Sequence, residues 1–108
     1  MEVRIRPISL LREGEPAAVV GVILQRVENY LVLDDGTGRA RVYADLAEAF
    51  SPGDVVLAVG VVAAVGRFAE IQSEAVTKVT GLDLDLLKET LKLVAEVEGR
   101  DAISGRSG

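Results

Sequence analysis

Apolar and polar residues alternate along two short runs in the first half of the chain, at positions 30–33 and 39–43. The residues between them, 34–38, are Asp, Gly and Thr, and glycine supplies the positive φ angles that a tight reversal needs. The pattern predicts a β-hairpin with one face turned into a core. The residues expected to point inward are Leu31, Leu33, Ala40 and Val42, and those expected to point outward are Tyr30, Val32, Arg39, Arg41 and Tyr43.

Three longer apolar runs predict the remaining main strands. Residues 17–26 form one of them, and Gly21 within it is typical of a bulge or a sharp bend. Residues 55–65 and 68–75 predict two strands joined by a two-residue turn. The other predicted elements are an edge strand at 2–6, a helical turn over 45–50 capped by Asp45, and an extension or kink at 76–80.

Five strands with one short helical insertion predict an all-β fold with added α-structure, in which the strands close into a small barrel over residues 1–81. A long first strand that bends at Gly21 can serve both sides of such a barrel. An SH3-like barrel or a β-sandwich is the alternative, although a sandwich usually has more strands.

The apolar period changes after residue 81, where Asp83 can cap a helix that ends near Gly99. The helix has two apolar stripes, and in one interpretation both close the bottom of the barrel. We favour the other interpretation, in which one stripe meets partner helices, because so wide an apolar face is a liability on a monomer. Residues 82–98 are thus expected to be an oligomerisation helix and 99–108 a flexible tail. The predicted interface residues are Leu84, Leu87, Leu91 and Val94, and the second stripe is Leu86, Leu93 and Val97.

Composition narrows the chemistry that the chain can perform. It contains no cysteine and no histidine, which excludes disulfides, the usual zinc ligands and an imidazole base. We therefore expect no enzyme activity, no metal and no cofactor. Asn and Gln are scarce, which favours a thermophilic source. No signal-peptide core and no membrane-length apolar stretch occurs, so we expect a cytoplasmic protein without a membrane partner.

The net charge of −5 argues against a general attraction to nucleic acid. Residues 1–81 carry eleven acidic and eight basic residues, so a nucleic-acid site would have to be a local patch. The outward face of the hairpin offers such a patch, since tyrosines can stack on bases and arginines can contact phosphates. Asp34 and Asp35 are expected only to bond the backbone of the turn.

The candidate nucleic-acid-binding residues are Tyr30, Arg39, Arg41, Tyr43, Arg67 and Phe68. Phe68 belongs with the others if Ala69 and Ile71 point inward. The alternative interpretation places the tyrosines at a barrel rim or an interface, with the arginines paired to Glu70 and Asp45.

The chain resembles the OB-fold, and within that fold the small single-OB subunits of replication protein A and their archaeal and telomeric relatives. The resemblance covers about residues 8–97. It is carried by the Tyr-Leu-Val-Leu-Asp-Asp-Gly-Thr-Gly-Arg-Ala-Arg-Val motif at 30–42, Val-Gly-Val-Ile at 20–23, Ser-Pro-Gly-Asp-Val-Val at 51–56 and the terminal helix.

The resemblance implies that strands two and three bind single-stranded DNA and that C-terminal helices bundle with partner subunits. We therefore expect a small subunit of a replication-protein-A-like complex that acts in DNA replication and repair. It would assemble with a larger subunit or with itself. The alternatives are a structural subunit that binds no nucleic acid and an RNA-binding module of the transfer-RNA type.

Overall fold

The computed structural model describes residues 5–45 and 49–79. Five strands close into a barrel in the order β1-β2-β3-β5-β4, as the sequence predicted for an OB-fold. The elements in chain order are a 3-10 turn at Ile8–Leu10, then β1 (Pro16–Val27), β2 (Tyr30–Asp34), β3 (Arg39–Tyr43), β4 (Val55–Ala64) and β5 (Ala69–Lys78).

Strand β1 is shared between the two sides of the barrel. It pairs antiparallel with β4 from Pro16 to Val22 and with β2 from Val22 to Val27. The bulge in its pairing with β2 lies at Leu24, and its pairing with β4 is regular through Gly21. Of the two predictions for Gly21, the bulge is therefore wrong and the sharp bend stays a prediction. Gly21 is instead a position of close approach, because a Cβ there would lie 2.9 Å from the carbonyl oxygen of Asp34.

Strand β5 closes the barrel by pairing with two strands. It runs parallel to β3, where Ala69 lies opposite Ala40, and antiparallel to β4, where it continues to Lys78 opposite Val56. The return strand predicted at 68–75 therefore extends into the 76–80 tract as far as Lys78, which confirms the extension and not the kink. Phe68 precedes the first residue of β5.

The core is formed by the inward residues of all five strands. The four residues predicted to point inward from the hairpin, Leu31, Leu33, Ala40 and Val42, are fully buried. Val32 was predicted to point outward and does so by alternation, but it is only 7% exposed. It therefore adds almost nothing to the accessible surface of this face. Ile8 and Leu11 belong to the core cluster together with the strand residues.

Several predictions concern residues beyond those that the structure describes. The helix at 82–98, with Leu84, Leu87, Leu91 and Val94, and the tail at 99–108 lie wholly outside. The helical turn over 45–50 lies partly outside, as does the edge strand at 2–6, of which Ile5 forms one parallel bridge with Ala18. Within the described ranges no helix is long and apolar enough to cross a membrane.

Candidate nucleic-acid interface

The β2–β3 turn is held by the carboxylates that the sequence assigned to it. Gly36 adopts a φ of 89°, and its backbone N–H donates to Asp34 Oδ1 at 2.7 Å. Asp35 Oδ1 accepts from the backbone N–H groups of Thr37 and Gly38 and from the Thr37 hydroxyl. Both aspartates therefore act as turn residues, which confirms that prediction.

Asp35 also makes a contact that the sequence did not reveal. Its second oxygen, Oδ2, accepts from the backbone N–H of Ile8 at 2.8 Å, and the residue is only 1% exposed. The neighbouring backbone N–H of Ser9 donates to the Thr37 hydroxyl at 3.2 Å. The 3-10 turn is thereby fixed against the hairpin turn at one end of the barrel.

The strand register sets which outward side chains are neighbours on the face formed by β2, β3 and β5. Tyr30 lies opposite Tyr43, which lies beside Gln72 in β5. Arg41 lies between Val32 in β2 and Glu70 in β5. The predicted aromatic and arginine residues thus occupy adjacent positions across three strands.

Three aromatic rings and one guanidinium form a connected cluster on this face. The Tyr30 and Tyr43 ring centroids are 5.3 Å apart with an interplanar angle of 50°. The Arg41 Cζ atom lies 5.8 Å from the Tyr30 ring centroid and 5.1 Å from that of Phe68, which are cation–π distances. We call Tyr30, Arg41, Tyr43 and Phe68 the stacking platform. All four are partly exposed, so ring surface is available to a ligand.

Phe68 reaches the platform for the reason that the sequence suggested. Ala69 and Ile71 are buried and point inward, which turns Phe68 and Glu70 outward. The ring of Phe68 then lies on the β5 side of Arg41, and Tyr30 lies on the β2 side.

The other two predicted arginines lie at the edge of the platform. Arg39 Nε is 3.4 Å from Asp34 Oδ2, so its partner is neither Glu70 nor Asp45. Arg67 is exposed in the turn between β4 and β5. Arg39 and Arg67 both line a cleft of about 280 Å³ between this turn and the β2–β3 turn.

Glu70 and Gln72 are the residues of this face that sequence reasoning did not place in the site. Glu70 entered only as a partner for an arginine, yet no ion pair joins it to Arg41 in the part of the chain that the structure describes. No group of acidic residues in the described ranges could hold a metal ion. What the rings and Arg41 of this face offer is stacking and cation–π contact.

Comparison with solved structures shows the same barrel in other proteins. The chain is similar to a replication factor A related protein from Methanobacterium thermoautotrophicum, with a TM-score of 0.62, 21% identity and coverage of 74% of this chain and 94% of that chain. It is also similar to the Stn1–Ten1 complex of S. pombe, with a TM-score of 0.60, 21% identity and coverage of 86% and 78%.

A third similar structure is U. maydis replication protein A bound to single-stranded DNA, with a TM-score of 0.59, 17% identity and coverage of 87% of this chain and 88% of that chain. No family model and no curated protein sequence matches the chain. The resemblance to replication-protein-A-related OB-fold proteins is thus found in the structure as well as in the sequence. At these identities it shows the fold.

Proposed function

We propose that the chain is a single-stranded-DNA-binding OB-fold subunit and that the stacking platform is its contact surface. The platform carries this proposal because it combines three partly exposed rings with a guanidinium on one continuous face. Bases stack on such rings without regard to sequence, and each stacked base contributes about 1–3 kcal/mol. Binding, and not catalysis, is the role that these residues support.

Stacking would supply most of the binding free energy, since few cations are available. In the described part of the chain Arg41 and Arg67 form no ion pair, whereas Arg39 is paired with Asp34. Neutralising two phosphates of a single strand would give a slope of about −1.4 in a plot of log affinity against log salt. The expected salt dependence is therefore shallow.

Two of the similar structures support this proposal, because one contains bound DNA and the other a protein partner. One is replication protein A with single-stranded DNA bound, and another is a complex of two different proteins. We propose by analogy that this chain also works within a larger assembly. The predicted seam of Leu84, Leu87, Leu91 and Val94 would hold it to a larger subunit or to a second copy.

Fluorescence anisotropy with a labelled 12-nucleotide oligo(dT) tests the proposed contact surface. Tyr30→Ala removes a stacking ring and is expected to weaken binding about tenfold or more. Val61→Ala is the matched control, because Val61 is exposed on β4 and lies outside the platform. A wild-type protein with no measurable affinity, alone or in its native complex, would instead support a structural subunit.

The same titration separates DNA from RNA as the ligand. A matched oligo(U) differs from DNA by its 2′-hydroxyl groups, which a dedicated RNA site would contact. The platform offers rings and one guanidinium to the bases, so we expect comparable or tighter binding of DNA. Markedly tighter binding of RNA would favour the RNA-binding alternative.

A further inference from the structure

The Glu70 carboxylate can only accept hydrogen bonds, and it lies beside aromatic and arginine side chains that favour a nucleic-acid ligand. It points outward from β5, is partly buried, and lies opposite Arg41 in β3 and Ala64 in β4. Its carboxylate forms no hydrogen bond or ion pair with any residue that the structure describes. A carboxylate here repels phosphates, so it lowers non-specific affinity for nucleic acid unless a ligand group donates to it.

Bases differ in what they could offer to such a carboxylate. The Watson–Crick edge of guanine presents two adjacent donors, N1–H and the N2 amino group, which match the two oxygens of one carboxylate. Its neighbouring O6 is an acceptor, which suits the guanidinium beside Glu70. Thymine presents a single N3–H between two carbonyl oxygens, so a carboxylate facing it meets two repulsive acceptors.

We propose that Glu70 is a specificity-determining residue that selects guanine on the stacking platform. Arg41 lies close to the rings of Phe68 and Tyr30 and is adjacent to Glu70 in the strand register, so a base stacked on either ring would lie near both side chains. A guanine there pairs its N1–H and N2 amino group with the Glu70 carboxylate, while its O6 accepts from Arg41. This inference rests on the proposed binding function and adds base selection to it.

The test uses 12-nucleotide oligo(dT) with one central thymine replaced by guanine, hypoxanthine, adenine or cytosine. A single guanine avoids four-stranded structures, and hypoxanthine is guanine without the N2 amino group. For the wild-type chain we expect guanine to tighten binding about tenfold over thymine, with hypoxanthine in between and guanine the strongest of the four.

Glu70→Gln and Glu70→Ala are expected to abolish the guanine preference, and Glu70→Gln should also improve binding of plain oligo(dT). Glu74→Gln is the matched control, because it removes the same charge from an exposed position of β5 that lines a different cleft. It should keep the preference.

Two other outcomes would count against this role. Equal wild-type affinity for all five oligonucleotides would overturn base selection by Glu70 while leaving the proposed binding function intact. An equal gain in affinity for every oligonucleotide in both Glu70→Gln and Glu74→Gln would also overturn base selection by Glu70. It would show that the Glu70 charge only repels nucleic acid in general. Absence of binding to any oligonucleotide would overturn both proposals.

Discussion

One buried carboxylate joins two parts of the chain that are 27 residues apart in sequence. Asp35 uses one oxygen for its own turn and the other for the backbone N–H of Ile8. The hairpin turn and the 3-10 turn are thus stabilised by the same side chain. Strand β3, which carries the platform residue Arg41, begins directly after this turn, so Asp35 helps to fix where β3 starts.

We predict that Asp35→Asn lowers the free energy of unfolding by about 1–3 kcal/mol, the cost of leaving a buried hydrogen-bonding group without its partner. An asparagine has one acceptor oxygen and cannot serve both the turn and Ile8. Urea denaturation followed by circular dichroism measures the change. Asp34→Asn is the matched control, and it should cost less because Asp34 is only partly buried. Equal losses in the two variants would contradict the role assigned to Asp35.

At the scale of the strand, the β2–β3 hairpin could be predicted from the sequence. The position of β5 beside this hairpin could not. Alternation and turn residues are local, so residues 30–43 contain their own register, and the burial of Leu31 and Val42 follows from it. The position of Glu70 beside Arg41 depends on parallel pairing of β3 with β5. That pairing results from closure of the whole barrel, and no local pattern in either strand specifies its register.

The role of Gly21 could not be predicted for the same reason, since local sequence patterns do not specify contacts between strands. Its place in the long strand β1 was evident, but its close approach to Asp34 exists only once β1 and β2 have paired. We predict that Gly21→Ala destabilises the barrel by about 1–3 kcal/mol, because the new methyl group forces the backbone of β2 to move. Thermal unfolding measures this. Gly66→Ala should be nearly neutral, since nothing lies within 4 Å of its added Cβ. A fully stable Gly21→Ala variant would show that β1 and β2 separate without cost.

The whole molecule combines a net charge of −5 with one small aromatic face. Within the described ranges Arg41 and Arg67 form no ion pair, and two arginines on an acidic protein gain little from electrostatic attraction to phosphates. A face of four residues also limits how many bases a single subunit can stack. Strong binding by such a module is expected to come from joining several modules on one strand, which can raise affinity by about 10²–10⁴ without new contacts. Assembly and DNA binding are therefore linked in the proposed function.

The link between assembly and DNA binding can be tested at the predicted helix interface of Leu84, Leu87, Leu91 and Val94, which lies outside the described ranges. Leu87→Gln combined with Leu91→Gln is expected to reduce the mass of the assembly in light scattering, because the apolar contact between helices is lost. The affinity for a 36-nucleotide oligo(dT) should then fall toward the affinity for a 12-nucleotide oligo(dT). The affinity for the 12-nucleotide oligo(dT) should not change. Lys88→Gln with Lys92→Gln is the control, because neither lysine belongs to the two predicted apolar stripes, and it should leave both mass and affinity unaltered. An unchanged mass in the leucine variant would place the assembly surface elsewhere on the chain.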